Sequence, residues 1–150
     1  AAWGYSSGAH LAAMLGTISN GDALDSPHGG PNSRVQAVVA GGIPADLRKY
    51  KRSGLVEDFL GAKHSENFAI YEQASPAFHA SAGDPPVFMY HGGSDLLVRP
   101  NQPEDFQRDL EKAGVASELY IQRFRGHMTM FVFDGAAFKK AIHFLRRKFD

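Results

Sequence analysis

The chain contains no cysteine. That alone excludes disulfides, a thiolate nucleophile and cysteine metal sites. It has no excess of charge either: Lys plus Arg and Asp plus Glu number 16 each. A balanced surface lacks the positive field that draws in nucleic acid, so no nucleic-acid partner is expected. The single basic run, Arg48-Lys49-Tyr50-Lys51-Arg52, is short and reads as a solvated face. No apolar run approaches the roughly 20 residues that span a bilayer, so no membrane span is expected. No pair of His, Asp or Glu shows the spacing of metal ligands, and neither a metal nor a cofactor is expected. What remains is an ordinary globular composition, 43% hydrophobic and 21% charged over 150 residues, enough for one domain with a sizeable core.

Against that plain background one stretch stands out, Gly4-Tyr5-Ser6-Ser7-Gly8, near the start. Gly-x-Ser-x-Gly puts a serine on a sharp turn between a strand and a helix, its hydroxyl raised above the sheet. The turn is expected to be so tight that side chains at Gly4 and Gly8 would collide with their surroundings. The context fits the motif. Ala1, Ala2 and Trp3 read as the end of a buried strand. From Ala9 to about Ile18 a helix is predicted, with His10, Leu11, Met14, Leu15 and Ile18 recurring at three- and four-residue steps. The backbone N–H of Ser7 then lies at a helix N-terminus, where developing negative charge is stabilised.

A polar, turn-rich loop follows from Asn20 to Ser33, with His28 as an exposed loop residue. Arg34 to Ala40 reads as a strand covered on both faces. Asp46, just past its end, reads as a cap on the next turn rather than as a functional carboxylate. In the irregular stretch from Leu47 to Ser81, Leu55, Val56, Phe59 and Leu60 form one apolar helical stripe closed by Gly61, and Phe68, Ile70 and Tyr71 suggest a second short helix. Short helices between core strands serve either as a pocket wall or as plain connectors. His64 and His79 read as surface or locally bonded residues. Val87 to His91 is a second buried strand, leading into Gly92-Gly93-Ser94-Asp95. Asp95 is either a turn residue or a carboxylate that orients a histidine. A helix is predicted from about Pro103 to Ala113, N-capped by Asn101, with Phe106, Leu110 and Ala113 inward. Ser117 to Phe124 alternates like a strand nearer the sheet's edge, and Asp134 to Phe149 is an amphipathic helix with Phe138, Ala141, Ile142, Leu145 and Phe149 inward.

Of the seven histidines, only His127 follows a glycine at a strand end, downstream of both Ser6 and Asp95. His10 and His143 are helix residues, and His91 reads as a satisfied core histidine. Ser6, Asp95 and His127 thus each follow a predicted strand, on one edge of one sheet. A serine hydroxyl needs a base to take its proton. A neutral imidazole can be that base, and a carboxylate on its other nitrogen holds the useful tautomer. Serine, acid, histidine is also the chain order of one hydrolase class.

The sequence resembles the C-terminal half of an α/β-hydrolase. It is most similar to the carboxylesterase/lipase group that includes acetyl-ester and feruloyl-ester hydrolases and the hormone-sensitive-lipase-like enzymes. The resemblance is carried by Gly4 through Ala12, by Arg34 through Val39, by Ala74-Ser75-Pro76, by Pro86 through Asp95 with Val98, and by Gly126-His127. It implies an α/β chain with a mostly parallel sheet and flanking helices, its N-terminal strands absent. Residues 1–150 would form the C-terminal part of a single domain starting at the elbow. It also implies Ser6 as nucleophile, Asp95 as acid, His127 as base and the Ser7 amide as one oxyanion donor. The family's second donor comes from a His-Gly-Gly-type loop upstream of the elbow, which has no counterpart in these residues. The activity implied is hydrolysis of small-molecule carboxylic esters through an acyl-enzyme. The alternatives are a prolyl-oligopeptidase-like peptidase or amidase, which resembles the same segments, and a catalytically incompetent piece. A half sheet would leave an apolar edge, through which self-association is expected.

Overall fold

The computed structural model describes residues 1–19, 21–25 and 31–149. Four strands, β1 (Ala2–Tyr5), β2 (Val38–Gly41), β3 (Val87–Gly92) and β4 (Ser117–Gln122), form one sheet in the order β1-β2-β3-β4. All three pairings are parallel, with Gly4 opposite Ala40, Ala40 opposite Met89 and Met89 opposite Leu119. Parallel strands need crossovers, and helices supply them. Helix α1 (Ser7–Thr17) follows β1 and α5 (Asn101–Lys112) follows β3. Three short helices, α2 (Gly54–Leu60), α3 (Phe68–Gln73) and α4 (Pro76–His79), lie between β2 and β3, while α6 (His127–Val132) and α7 (Gly135–Phe149) follow β4.

Successive strand side chains point to opposite faces, so β2 and β3 feed two cores. Val38, Ala40, Val87 and Met89 pack with Ala9, Ala12 and Ala13 of α1 and with Phe106 and Leu110 of α5. Val39, Phe88 and Tyr90 pack on the other face with Met130 of α6 and with Ala137, Ala141 and Phe144 of α7. Every β2 and β3 residue is buried, as the continuous apolar runs require. Strand β4 is a partly exposed outer strand, as its alternation predicts. Strand β1 is the other outer strand among the described residues, and Trp3 on it is half-exposed and stacked on Phe138.

Several expectations need correction. In α1 the inward face is Ala9, Ala12, Ala13 and Gly16, while Leu11 and Leu15 are exposed. The helix approaches the sheet so closely that a Cβ on Gly16 would lie 2.7 Å from Val38 Cγ2. Small residues therefore face the sheet, His10 and Met14 are buried beside them, and Leu11 and Leu15 face away. Strand β2 starts only at Val38, so Arg34 to Ala37 lead into it rather than belonging to it. Asn101 is the first helical residue of α5 rather than its cap, a position held by Pro100. On α7 the inward stripe is Ala137, Ala141 and Phe144, with Phe138 and Phe149 half-exposed. That rotates the predicted stripe by about one residue and puts slim alanines where the helix meets β3. The loop of 20–33 carries 3-10 turns at Ala23–Asp25 and Pro31–Ser33. Asn20 and residues 26–30, including His28, lie outside the described residues. Among those described, no helix is long and apolar enough to cross a membrane.

Candidate active site

Ser6 sits between β1 and α1 with φ 54° and ψ −120°. A positive φ at a residue with a side chain costs on the order of 1–3 kcal/mol and persists only where the surroundings enforce it. Three observations show how they do so. The Ser6 N–H donates to the Gly41 carbonyl at 2.8 Å, and the Ser6 carbonyl accepts from His10 N–H at 3.0 Å. A Cβ on Gly4 would lie 2.1 Å from the Gly8 carbonyl oxygen, so only glycine permits this approach. Gly8 is different: a Cβ there meets nothing within 4 Å. The expected collision at the second glycine is therefore corrected, since α1 leads away from the turn at that point.

Asp95 lies on the loop after β3, almost wholly buried. Its Oδ1 accepts from the backbone N–H groups of Leu97 at 3.0 Å and Val98 at 2.9 Å. Gly92 lets the two loops come together: a Cβ on it would lie 2.3 Å from the Arg125 carbonyl oxygen. The Ser94 N–H donates to that same carbonyl at 2.9 Å. His127 then opens α6, a helix that the residue pattern did not reveal because it is only 6 residues long and apolar nearly all round. Its Nδ1 lies 2.6 Å from Asp95 Oδ2 and its Nε2 lies 2.8 Å from Ser6 Oγ. A carboxylate only accepts, so Nδ1 carries the hydrogen and Nε2 offers its lone pair to the Ser6 hydroxyl. Asp95 and Ser6, 32 and 121 positions from His127 in the chain, are thus joined with it in one hydrogen-bonded chain.

Tyr5, the second residue of the motif and one that pattern reading passes over, holds His127 from behind. Its hydroxyl donates to the His127 carbonyl at 2.6 Å, and its ring lies 5.2 Å from the imidazole. Burial first, and the negative charge of Asp95 second, push its phenol well above the ordinary range, so it stays a donor. Gly42, at φ 58°, completes the cradle, since a Cβ there would lie 2.8 Å from Tyr5 Cζ and 3.1 Å from His127 Cε1.

In front of Ser6 is a cavity of about 300 Å³, lined by Ser6, Ser7, Leu11, Leu47, Tyr50, Leu55, Val56, Phe59 and Leu97 among others. Leu55, Val56 and Phe59 of the predicted apolar stripe line this cavity, and none of α2's residues is buried. The choice between pocket wall and connector falls to pocket wall for this helix. Ser7 opens α1 and lines the same cavity, and the first N–H groups of a helix have no partner within it. Tyr50 is pushed up to about 12, by burial first and by Asp95 second, and its buried hydroxyl has no partner among the described residues.

The remaining candidates fall outside this site. Asp46 accepts from Arg48 N–H at 3.2 Å, as a cap should, and its backbone exchanges hydrogen bonds with Gln102. His10 is buried in α1 with Nε2 on the Ala74 carbonyl, and His64 and His79 bond nearby carbonyls. His91 is only half satisfied: Nε2 meets the Val98 carbonyl at 2.7 Å, but Nδ1 is buried without a partner among the described residues. No group of three or more His, Asp or Glu that could hold a metal ion occurs among the described residues.

A serine elbow after a parallel strand, here β1, with an acid on the loop after β3 and a histidine after β4, defines the α/β-hydrolase class. Within that class the chain belongs to the BD-FAE family, whose model matches residues 1–110. Ser6 and Asp95 fall inside the matched span, and His127 lies beyond it. Esterase LipQ of Mycobacterium tuberculosis is 29% identical over 130 residues, covering 83% of this chain and 31% of LipQ. Among solved structures, a truncated form of a carbohydrate esterase from gut microbiota superposes with a TM-score of 0.70 at 24% identity, covering 83% of this chain and 51% of that one. Thermogutta terrifontis esterase 2 phosphoramylated by tabun gives a TM-score of 0.66 at 26% identity, covering 85% of this chain and 44% of that one. The chain therefore spans about half the length of these solved esterases and about a third of its curated relative.

Proposed function

We propose that this chain carries the catalytic site of a serine hydrolase that cleaves small apolar carboxylic esters through an acyl-enzyme. The observation that carries the reading is the continuous path from Ser6 Oγ to His127 Nε2, at 2.8 Å, and from His127 Nδ1 to Asp95 Oδ2, at 2.6 Å. Relatives named as esterases support the choice of ester over peptide. So does a cavity whose walls are mainly apolar, with Leu11, Leu47, Leu55, Val56 and Phe59 among them.

In this mechanism Ser6 Oγ attacks the ester carbonyl carbon while its proton passes to His127 Nε2. The carbonyl oxygen gains the negative charge, and the Ser7 N–H is its donor at the start of α1. Collapse breaks the carbon–oxygen bond to the alcohol, and His127 returns the proton to the departing oxygen. Water then attacks the acyl-serine, His127 takes its proton, and release of the carboxylic acid restores the Ser6 hydroxyl. Asp95 keeps the imidazole oriented and stabilises its cation, without taking the proton itself.

The test is incubation of the chain with a fluorophosphonate, followed by mass spectrometry of the adduct. Covalent mass on Ser6, absent from Ser6→Ala, is expected. A folded chain that gains no mass at Ser6 would overturn the proposal and leave the incompetent-piece reading in its place.

A further inference from the structure

His91 takes no part in the chain from Ser6 to Asp95, yet it is wholly buried beside it. It lies near the end of β3, four residues before the acid. Its Nε2 is 2.7 Å from the Val98 carbonyl. A carbonyl only accepts, so Nε2 carries the hydrogen. The same nitrogen is 3.4 Å from Asp95 Oδ2, the oxygen that receives His127. Burial, and secondarily the nearness of His127, disfavour the imidazolium, although the Val98 carbonyl and Asp95 act the other way.

Val98 is held on both sides. Its N–H donates to Asp95 Oδ1 at 2.9 Å, and its carbonyl receives His91. The loop between them is also closed by Asp95 N–H on the Gly92 carbonyl at 3.1 Å. Two glycines open this loop, and glycine leaves the backbone direction weakly specified. The carboxylate's aim then depends on where Val98 sits. Strand β3 is the rigid element nearby, and His91 is the side chain that ties Val98 to it.

We propose that His91 is a positioning residue for Asp95: its Nε2–H fastens Val98 to β3 and thereby aims the carboxylate at His127. Nδ1, buried without a partner among the described residues, argues the same way. A buried polar atom without a partner is costly, and an apolar side chain would fill a purely structural core position without that cost. An imidazole kept there with one idle nitrogen is explained by the work of the other. The catalytic meaning of this role rests on the proposed function, whereas the aim of the carboxylate can be measured without turnover.

The experiment compares His91→Gln, which keeps a donor near the Nε2 position, with His91→Met, which keeps volume but no donor. His91→Asn, whose amide falls short of Val98, is the substitute if the methionine variant does not fold. Two readouts are taken on each cooperatively folding variant: the second-order rate of Ser6 phosphonylation, and the far-downfield proton NMR signal of the His127–Asp95 hydrogen bond. Small misplacements of a catalytic group cost large factors, so His91→Met is expected to react at least about tenfold more slowly. Its downfield signal should be lost or broadened, while His91→Gln stays close to the unaltered chain on both counts. Equal rates and equal signals across the variants would overturn the proposal. So would a glutamine variant as impaired as the methionine one. If the unaltered chain itself is not phosphonylated, the hydrolase reading fails, and the NMR signal alone then decides the role of His91 by the same comparison.

Discussion

Gly4 and Gly8 look alike in the motif but do different physical work. A Cβ on Gly4 would sit 2.1 Å from a backbone oxygen that cannot move without unwinding the start of α1. At Gly8 the space is open, and the residue is the second of a helix. Alanine is favoured over glycine in a helix by roughly 1 kcal/mol. Gly4→Ala is therefore expected to abolish phosphonylation of Ser6 and to destabilise the fold by several times that amount. Gly8→Ala is expected to leave the unfolding midpoint unchanged or slightly raised. Chemical denaturation of the two variants side by side checks this, and equal damage from both would refute the asymmetry. The strain at Ser6 belongs to this scale as well. Its positive φ is held by hydrogen bonds to Gly41 and His10 rather than by anything in the serine itself.

Among the elements, α2 is the one whose role depends most on its neighbours. Its apolar stripe is as regular as that of α5, yet α5 buries Phe106 and Leu110 while α2 leaves Leu55 and Phe59 largely exposed at the cavity. Periodicity reports that a helix has an apolar face and says nothing about what covers it. Phe59→Ala should consequently cost little stability, since surface substitutions usually fall within about 0.5 kcal/mol. It should instead change ester preference, lowering kcat/KM for substrates with bulky apolar groups more than for acetyl esters. Rates for p-nitrophenyl esters of rising chain length would show it. A uniform loss across the series, or a large fall in the unfolding midpoint, would contradict the assignment. Helix α1 teaches the related lesson: Leu11 and Leu15 face away from the sheet, while Ala9, Ala12, Ala13 and Gly16 make the close approach to it.

For the whole molecule, buried histidines set the response to acid. Burial lowers the pKa of both His10 and His91. In the folded chain they stay neutral at a pH where exposed imidazoles, with pKa about 6.5, take up protons. The unfolded chain then binds more protons than the folded one, so stability falls as pH drops through about 6.5 and is regained above it. The urea midpoint is expected to be lower at pH 5.5 than at pH 7.5. His10→Gln, which keeps a donor for the Ala74 carbonyl, should narrow that difference. A midpoint difference unchanged by this substitution would count against the assignment.

The sequence alone determined the features that rest on local stereochemistry and on order along the chain. Gly4-x-Ser6-x-Gly8 demanded a strand-turn-helix. The apolar runs ending at Ala40 and His91 called for buried strands, although the first of them is a strand only from Val38. The glycines before Asp95 and His127 marked loops at strand ends. Only the tertiary structure decided the rest, because it depends on distances between residues far apart in the chain. It put Asp95 and Ser6 on the two nitrogens of His127, set Tyr5 and Gly42 behind that ring, and turned the α2 stripe toward the serine. It also left His91 Nδ1 without a partner among the described residues, which a satisfied core histidine would not have. Strand period and turn chemistry specify each element's own faces. Which faces meet is fixed by the close packing of the whole, where the room for a single Cβ at Gly4 or Gly16 decides what can approach what.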